Sequence, residues 1–437
     1  MSGKVIHDPL HGSITVDGVF LELLMRHEMQ RLHGVKQLGM ANKVFPGANH
    51  TRLEHSLGVY HLAGRMGKAL RLDKEEADHV KAAALLHDIC HLPYSHNLSE
   101  LYENRMDTDH MALARPLIFG TVRTHQERDE DMFGSAGPIS EVLERHGLSP
   151  DTVCDLIAYP RSKVEGLDAF MSSGEKQSFF SSNDHLHQMI HGPVDADQMD
   201  YLLRDAHYTG VAHGTIDIER LMTQMKVYNN TIVIERGGVA AAEGLMVSRA
   251  LMYSSVYFHK TVRIAEMMLS KATELSDADM TLLHLMDDPD LGNFLISHGG
   301  KASEIMRRLN ARRLYKKAFS AYTADLDDEQ TDRIVKFSKY EDKKKLEYEI
   351  AEEASVDYSD VIADIPSRSS LLSNVKIGKT DVSVYYDDRV RPITKISPVA
   401  KALHSRDTID RAVMVSSPAE YTERVRRASS SVLGISL

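Results

Sequence analysis

Four side chains that can bind a metal or carry a proton crowd into ten residues of the stretch AALLHDICHLPYSH. They are His87, Asp88, His91 and His96. The stretch begins with apolar residues, and titratable groups are costly to bury unless a cation or a partner compensates them. Histidine nitrogens and carboxylate oxygens are suitable ligands for Mn, Fe, Zn or Ni. We therefore interpret the end of this segment as one part of a metal site.

Further ligands must come from other parts of the chain. His55 precedes His87 by 32 positions and lies in TRLEHSLGVYH. Downstream, VDADQMDYLLRDAHYTG carries polar residues at i, i+3, i+4, i+7 and i+8, namely Asp197, Asp200, Tyr201, Arg204 and Asp205. A core helix would be apolar at that spacing, so this face is predicted to line a wet cavity. Spacing alone does not establish a metal site, because an HD dipeptide carries almost no information by itself.

Several other candidates are interpreted as structural. His7 and Asp8 precede a proline and are predicted to be turn residues. His61 follows His55 by six positions, which is a poor match in helical face. Cys90 lies between candidate ligands, but a small buried hydrophobe is the simpler interpretation.

The elements that must position these residues are mostly helices. Apolar periodicity and terminal signals predict helices over residues 20–32, 51–70, 75–89, 194–210, 240–275 and 341–354. Thr51 is a candidate N-cap, Pro93 prevents continuation of the third helix, and Gly210 is a candidate stop. TIVIERGG, at 231–238, is predicted to form one strand of a small hairpin. The charged helix over 341–354 is predicted to present a solvated face.

The character of the chain changes near Pro366. NVKIG, DVSVYYDD and RAVMVSSP are β-rich and are interleaved with helical segments such as SPVAKALHS. The predicted fold is therefore mainly α, with a helical core and a small C-terminal α+β subdomain. The predicted boundaries are 1–290 for the core, 291–365 for a helical extension and 366–437 for the α+β subdomain.

Composition limits the functional classes. The 437 residues carry a formal net charge of −11, which argues weakly against a general nucleic-acid binder. This average does not exclude a local basic cleft. Two cysteines do not make a disulfide framework. There is no apolar signal core and no apolar run of about 18 residues, so we expect a cytoplasmic protein with no membrane partner.

The order H…HD…D on predicted helices resembles that of the HD-domain metal-dependent phosphohydrolases. The resemblance is closer to the deoxynucleoside triphosphate (dNTP) triphosphohydrolases of the SAM-and-HD-domain type and their prokaryotic relatives. It is carried by DPLHGSI, QRLHGVKQLG, VFPGANHTRLEHSLGVYHLAG, ALLHDICHLPYSH, VDADQMDYLLRDAHYTG and YFHKTV. These motifs cover most of residues 4–270. No SAM domain precedes them, so we expect only the HD-domain helical core to be shared.

The resemblance implies roles for individual residues. The metal ligands would be His55, His87, Asp88 and Asp197, and the catalytic histidines His91, His96 and His110. Phosphate contacts would be Arg52, Tyr201 and Arg249, and the sugar pocket Gln37, Leu38, Asp205 and Tyr257. Contacts to an activating nucleotide would involve Lys4, Val5, Gln30, His259 and Lys260.

The implied activity is metal-dependent hydrolysis of dNTPs to deoxynucleoside and triphosphate. The cofactor would be a divalent ion (Mn, Mg, Fe, Zn or Ni), the substrate a deoxynucleotide, and the assembly a homo-oligomer, either a dimer or a tetramer. An activating nucleotide is a further expected partner.

Some positions depart from the pattern of these enzymes. The acidic residue that usually follows the SH dipeptide by three positions is Ser99 here, with Glu100 next to it. A phosphate-binding lysine is replaced by Gln198, and Phe258 stands where a polar residue would lie near the base. Two alternatives therefore stay open. The protein could act on another nucleotide, such as a monophosphate or a signalling nucleotide, or it could be a regulator that senses nucleotides or binds nucleic acid without turnover.

Overall fold

A computed structural model describes residues 3–124, 137–158, 184–366, 382–404 and 411–436. The helices are α1 Gly18–Leu24, α2 His27–Gln30, α3 Arg52–Leu70, α4 Lys74–Leu86, α5 Ser99–Met106, α6 Ala114–Ile118, α7 Ile139–Arg145, α8 Pro150–Ile157, α9 Asp184–His191, α10 Ala196–Thr209, α11 Ile218–Thr223, α12 Val239–Met252, α13 Lys260–Leu275, α14 Asp288–His298, α15 Gly300–Asn310, α16 Asp328–Lys336, α17 Tyr340–Ala354, α18 Pro398–His404 and α19 Thr422–Leu433. Within these ranges, none of the helices combines the length and apolarity that a membrane crossing needs.

The strands are short and form three sheets in the described part of the chain. They are β1 Lys4–Asp8, β2 Gly12–Val16, β3 Met225–Tyr228, β4 Thr231–Glu235, β5 Lys316–Tyr322, β6 Ile362–Asp364, β7 Ser383–Tyr386, β8 Arg389–Pro392 and β9 Arg411–Ser417. The sheet orders are β1-β2, β3-β4-β7-β8 and β5-β9-β6. The protein is thus mainly α with small sheets, as predicted.

The helical core is built on α3 and α4, which pack against each other, and α10 packs on α3. Both α3 and α4 begin with a capping box, in which the side chains of Thr51 and Asp73 accept the N–H of a residue one turn on. Helix α10 begins at the cap residue Asp195 and ends at Gly210, whose φ of 75° is favourable for glycine. The ends of these helices are therefore set by local residues.

Two predicted helices are interrupted. The segment over 20–32 divides into α1, α2 and a 3-10 turn at Arg31–Gly34. The helix predicted over 240–275 divides where α12 gives way to a π-helical turn at Tyr253–Tyr257, after which the His259 side chain caps α13. Single-turn π segments are frequent at functional sites. Here the turn brings the hydroxyl of Tyr257 to a carboxylate oxygen of Asp205, 2.6 Å away.

Strand pairing crosses the predicted boundary near residue 366. Strand β7 pairs in parallel with β4 of the core, and Val384, Ile393 and Ala400 are buried in the same apolar cluster as α3 and α4. Strand β9 instead pairs with β5 and β6, which precede residue 366 in the chain. Of the predicted β-rich segments, NVKIG lies outside the described residues.

The predicted solvated face makes up only part of α17: Lys345, Glu349 and Glu352 are exposed, but the opposite face is buried. Leu346, Ile350 and Ala351 are buried, and so are Lys343 and Glu347. The fully buried Lys271 Nζ on α13 donates to Glu347 Oε2 across 2.8 Å, and Glu347 Oε1 accepts the N–H of Ala363 at 3.0 Å. In the sequence, Lys343 and Glu347 resemble solvent-exposed residues, because the partners that allow their burial lie on distant segments.

Replacing Lys271 with Met should lower the free energy of unfolding by about 3 kcal/mol, since it leaves a buried carboxylate short of one partner. Urea unfolding followed by circular dichroism measures the change. The matched control is Lys345→Met on α17, whose side chain is exposed and pairs with Asp342 at the surface. The control should shift stability by less than about 0.5 kcal/mol. Equal effects of the two substitutions would contradict the importance of the buried pair.

Candidate metal centre

The first part of the site lies where α4 ends. The helix stops at Leu86, and His87 and Asp88 follow in a loop. The Nδ1 of His87, when protonated, donates to the carbonyl oxygen of Ala84 at 2.8 Å, which leaves the lone pair on Nε2. The carboxylate of Asp88 accepts from Arg52 Nη1 through Oδ2 at 2.8 Å. The end of the helix therefore presents one imidazole nitrogen and one carboxylate in fixed orientations.

Two other helices bring the remaining predicted ligands to the same place. His55 lies in the first turn of α3, and Asp197 lies in the first turn of α10. The Nε2 of His55 is 3.0 Å from Asp197 Oδ1 and 3.8 Å from Asp88 Oδ2. The Nε2 of His87 is 3.3 Å from Asp88 Oδ1 and 3.9 Å from Asp197 Oδ1. The structure thus brings all four predicted ligand residues together.

These residues fit a divalent cation. The Nε2 atoms of His55 and His87 are both buried, and although carboxylate oxygens lie 3.0 and 3.3 Å away, neither nitrogen makes a hydrogen bond of good geometry. Ligand atoms of His55, His87 and Asp88 lie within 4.8 Å of one another. Two imidazoles with two carboxylates form a donor set suited to the first-row divalent metals. A cation at this point would satisfy nitrogen atoms that otherwise carry the cost of burial without a partner.

A buried carboxylate orients the ligand His55 from behind. Asp200 Oδ2 accepts from His55 Nδ1 at 2.8 Å, and Asp200 is in turn held by the guanidinium of Arg204, with Nε–Oδ2 at 2.8 Å and Nη2–Oδ1 at 3.0 Å. The pair lies against Gly58 of α3, where an added Cβ would be 1.8 Å from Asp200 Oδ1. The absence of a side chain at Gly58 therefore makes room for this support.

Charge partners shift the pKa values of the cluster. Burial by itself lowers the pKa of His55, but contacts with Asp197 and Asp200 outweigh it and raise the pKa to about 10. Burial raises the pKa of Asp88, but Arg52, His87 and His91 outweigh this effect and hold it well below its usual range. In the metal-free protein a proton on His55 therefore supplies the positive charge that a cation would bring.

Three further histidines form a group next to this cluster. The ring of His91 lies 4.8 Å from that of His96 and 4.8 Å from that of His110. His91 Nε2 is 3.0 Å from Asp88 Oδ1, which links the two groups. His91 and His110 are buried, whereas His96 is exposed. Surrounding protein atoms and Arg52 nevertheless lower the pKa of His96 to about 4.

Glu100 does not occupy the position of an acidic partner for these histidines. Its carboxylate accepts from Lys343 Nζ, with the Oε2 distance at 2.8 Å. The Oγ of Ser99 is buried without a hydrogen-bond partner. The carboxylate nearest to this group among the described contacts, apart from Asp88, is that of Asp109, whose Oδ1 lies 2.8 Å from His110 Nδ1.

Two of the predicted phosphate-binding residues, Arg52 and Arg249, are held by buried partners. The guanidinium of Arg52 is buried and fixed by Asp88 and by Ser95 Oγ, 2.8 Å from its Nε. Arg249 Nη1 donates to Gln198 Oε1 at 3.2 Å. Gln198 is itself buried and donates to the carbonyl oxygen of Gly192. Gln198 therefore orients Arg249. It does not carry the positive charge of the lysine that the resemblance leads us to expect at this position.

Residues predicted for the sugar pocket form a second hydrogen-bonded group. Asp205 accepts from the Tyr257 hydroxyl and from His50 Nε2, at 2.6 and 2.8 Å. The ring of Tyr257 lies 6.3 Å from that of Tyr201. The backbone N–H of Gln37 donates to the His50 carbonyl, and Gln37 Oε1 is buried without a partner. Leu38 is half-buried against the core.

The residues predicted to contact an activating nucleotide lie on separate elements. Lys4 and Val5 are exposed on β1, and the Gln30 amide donates to the Leu24 carbonyl. His259 and Lys260 lie at the start of α13. No hydrogen bond or ion pair joins the two groups in the described ranges.

Sequence reasoning missed several residues that support the site. His11 Nε2 donates to Asp200 Oδ1 at 2.7 Å, and Asp8 Oδ2 accepts from Arg204 at 2.9 Å. His7 and Asp8 are not the predicted turn residues but the last two residues of β1, and the Asp8 carboxylate extends to Arg204. His50 and Gly58 were not singled out either. The available signals were two motifs of the resemblance: DPLHGSI contains Asp8 and His11, and VFPGANHTRLEHSLGVYHLAG contains His50 and Gly58.

Comparisons with known proteins identify families and individual proteins that the chain is similar to. The HD domain family matches residues 52–204, and the HD associated region matches residues 216–437. The uncharacterized protein MJ1154 of Methanocaldococcus jannaschii is 30% identical over 97% of this chain and 81% of its own length. The human deoxynucleoside triphosphate triphosphohydrolase SAMHD1 is 30% identical over 62% of this chain, which spans 44% of that protein.

Solved structures share the fold over nearly the whole chain. A hypothetical protein from Aquifex aeolicus has a TM-score of 0.63 and 27% identity, with 98% of this chain and 99% of that chain covered. A phosphohydrolase from Bacteroides thetaiotaomicron has a TM-score of 0.67 over 95% of this chain and 99% of that chain. Its identity is 24%, so it supports the fold alone.

Replacing Gly58 with Ala should disrupt the support of His55, because the new Cβ would collide with Asp200 and lie 2.6 Å from Arg204 Nη2. We expect a loss of stability of about 1–3 kcal/mol from overpacking and metal affinity weakened about 10–100-fold. Urea unfolding and calorimetry with Mn²⁺ measure the two quantities. Gly64→Ala on the same helix is the control, since its nearest contact would be 3.6 Å away. Equal behaviour of the two variants would contradict the crowding argument.

Metal binding should release a proton from His55. Because its folded-state pKa is raised above the unfolded value, protonated His55 stabilises the metal-free protein below pH about 6.5, and this stabilisation is lost as pH rises through about 10. The ion must displace that proton, so the apparent Mn²⁺ affinity should rise about tenfold per pH unit between about pH 7 and 9. Calorimetry in buffers of different ionisation enthalpy counts the proton. A pH-independent affinity would contradict the raised pKa.

Proposed function

The chain belongs to the HD domain family, with an HD associated region after the domain, and we propose that it hydrolyses dNTPs to deoxynucleoside and triphosphate. The observation that carries the proposal is the convergence of His55, His87, Asp88 and Asp197 beside a group of three histidines. A cation site and a set of proton carriers thus share one carboxylate, that of Asp88. A metal-dependent phosphohydrolase uses both components.

The reaction adds water across the bond between the α-phosphorus and the 5′-oxygen of the sugar. When bound, a divalent ion lowers the pKa of water towards 7 and withdraws charge from phosphoryl oxygen. The four proposed ligands would hold Mn, Mg, Fe, Zn or Ni. The hydroxyl of the water becomes part of triphosphate, and its proton balances the one that the deoxynucleoside takes up.

The arginines would bind the phosphates. Arg52 is held rigid by Asp88 and Ser95, so little side-chain entropy would be lost when a phosphate oxygen meets its guanidinium. Arg249 is oriented by Gln198 and lies 5.5 Å from the ring of Tyr253. Tyr201 lies on the same face of α10 as Asp197. Together these groups would offset the negative charge of a triphosphate.

The histidine group would supply the proton for the departing 5′-oxygen. His96 is neutral at pH 7 because its pKa is about 4 in the free protein. Negative phosphate oxygens next to it would raise that pKa and allow it to carry a proton. His91 and His110 are the other candidates, and His110 has the additional contact with Asp109.

The sugar would pack against Leu38 and Tyr257, near the Asp205 carboxylate. Tyr257 and His50 both donate to Asp205, which fixes this wall of the pocket. A wall set close to the sugar would penalise a 2′-hydroxyl sterically, and this favours deoxynucleotides. Relatives named as dNTP triphosphohydrolases, from cattle and Dictyostelium discoideum among others, add support at about 28% identity.

A second candidate is hydrolysis of another nucleotide. It is favoured by Gln198, which is buried and tied to Arg249 and therefore adds no charge for a triphosphate. Under either function the protein would act as a homo-oligomer, and Lys4, Val5, Gln30, His259 and Lys260 would contact an activating nucleotide. The exposure of Lys4, Val5 and Lys260 leaves those side chains accessible to such a ligand.

Incubating the purified protein with each dNTP and Mn²⁺ or Mg²⁺ should yield deoxynucleoside and triphosphate in equal amounts, resolved by ion-exchange chromatography. His87→Ala should reduce the rate by at least about 1,000-fold, because it removes a ligand and a fixed nitrogen. The control is His7→Ala, an exposed residue on β1, which should keep the wild-type rate.

Other products would decide against the proposal. Orthophosphate from a deoxynucleoside monophosphate, without triphosphate from any dNTP, would favour the second candidate. Nucleotide-dependent oligomerisation or RNA binding without hydrolysis, unchanged in His87→Ala, would favour a regulator.

A further inference from the structure

The turn that joins β1 to β2 reaches from the edge of the fold to the metal centre. We propose that this turn and the strand ends that flank it, residues 8–12, support the metal centre, with His11 and Asp8 acting as positioning residues for the ligand His55 through Asp200 and Arg204. The inference rests on the metal binding in the proposed function and extends it to residues that touch neither metal nor substrate.

The first connection runs through one carboxylate. Asp200 is fully buried, and its two oxygens face in different directions. Oδ2 accepts from His55 Nδ1 at 2.8 Å, and Oδ1 accepts from His11 Nε2 at 2.7 Å. The side chain of His11 is only 6% exposed, so this hydrogen bond is shielded from water. The carboxylate plane is therefore fixed between the ligand on one side and the turn on the other.

The second connection runs through Arg204. Its Nε and Nη2 hold Asp200, and its Nη1 donates to Asp8 Oδ2 at 2.9 Å. The other oxygen of Asp8 accepts the backbone N–H groups of Leu10 and His11, both at 2.9 Å. The carboxylate of Asp8 therefore both stabilises the turn and positions Arg204.

These contacts are not needed to hold the hairpin on the protein. Strand β2 buries Ile14 and Val16 in the apolar cluster of α3 and α4, and the five residue pairs of the β1–β2 ladder fix its register. Removing the His11 ring should leave that packing in place. It would, however, leave Asp200 Oδ1 to Arg204 alone, and the carboxylate would lose one of the hydrogen bonds that fix its orientation towards His55 Nδ1.

Loss of that orientation should appear in metal affinity more than in folding. Outer hydrogen-bond partners of ligating histidines fix the ring orientation and its tautomer, and their removal weakens metal binding by about 10–100-fold. The effect does not require contact between the metal and His11. Nor does it depend on which nucleotide is the substrate.

The test measures Mn²⁺ binding to the metal-free full chain by calorimetry, together with the midpoint of thermal unfolding without metal. His11→Ala should bind Mn²⁺ about 10–100-fold more weakly, with a metal-free midpoint within about 3 °C of the wild type. His11→Gln, whose amide Nε2 can donate from the same place, should recover affinity to within about threefold. His61→Ala is the matched control, because its ring lies 5.3 Å from that of His11 but has no hydrogen bond to Asp200.

Three results with the variants would overturn the inference. The first is His11→Ala with affinity within about threefold of the wild type, and the second is an equal loss in His61→Ala. The third is a His11→Gln variant as weak as His11→Ala. Absence of Mn²⁺ binding by the wild type would overturn both this inference and the metal-dependent function. Wild-type binding that is insensitive to His11 would overturn the inference alone.

Discussion

Compensation of two buried carboxylates, Asp88 and Asp200, is the constraint on which the rest of the structure depends. Neither can lie in the core of a helical protein without positive partners, because an isolated buried charge costs several kcal/mol. Arg52 pairs with the first and Arg204 with the second, and the imidazole of His55 lies between them. Helices α3 and α10, the loop after α4 and the β1–β2 hairpin all contribute to this arrangement. The candidate metal centre and the packing of these elements therefore depend on the same network of charged residues.

The parts of the fold and site that could be predicted from the sequence are those set by local rules. The capping box at Thr51 and the stop at Gly210 are both encoded within a few residues, and the structure has both. The polar face of α10 was recognisable because carboxylates recur at a spacing where a core helix is apolar. The same periodicity placed Asp197 on that face, and the structure brings it to His55. Its role as a ligand stays a prediction.

What could not be predicted depends on distant partners. Glu347 looks like a surface residue in EDKKKLEYEIAEEA, and only its contact with Lys271, 76 residues away, explains its burial. Strand β7 could not be assigned to the core, because its parallel partner β4 is some 150 residues earlier and is encoded by nothing local. The contacts of His11 and Asp8 escaped notice for the same reason. A short polar turn gives no sign in sequence of the buried carboxylate that it meets.

The parallel pairing of β4 with β7 also constrains how the chain can fold during synthesis on the ribosome. The apolar cluster around α3 and α4 includes Val384, Ile393 and Ala400, which are translated long after the HD domain segment has emerged. At elongation rates of about 5–20 residues per second, roughly ten seconds or more separate the synthesis of the HD domain segment from that of β7 and α18. During that interval the edge of β4 is unpaired and open to association with other chains. The order of translation therefore leaves this edge of β4 without its partner until most of the chain has been synthesised.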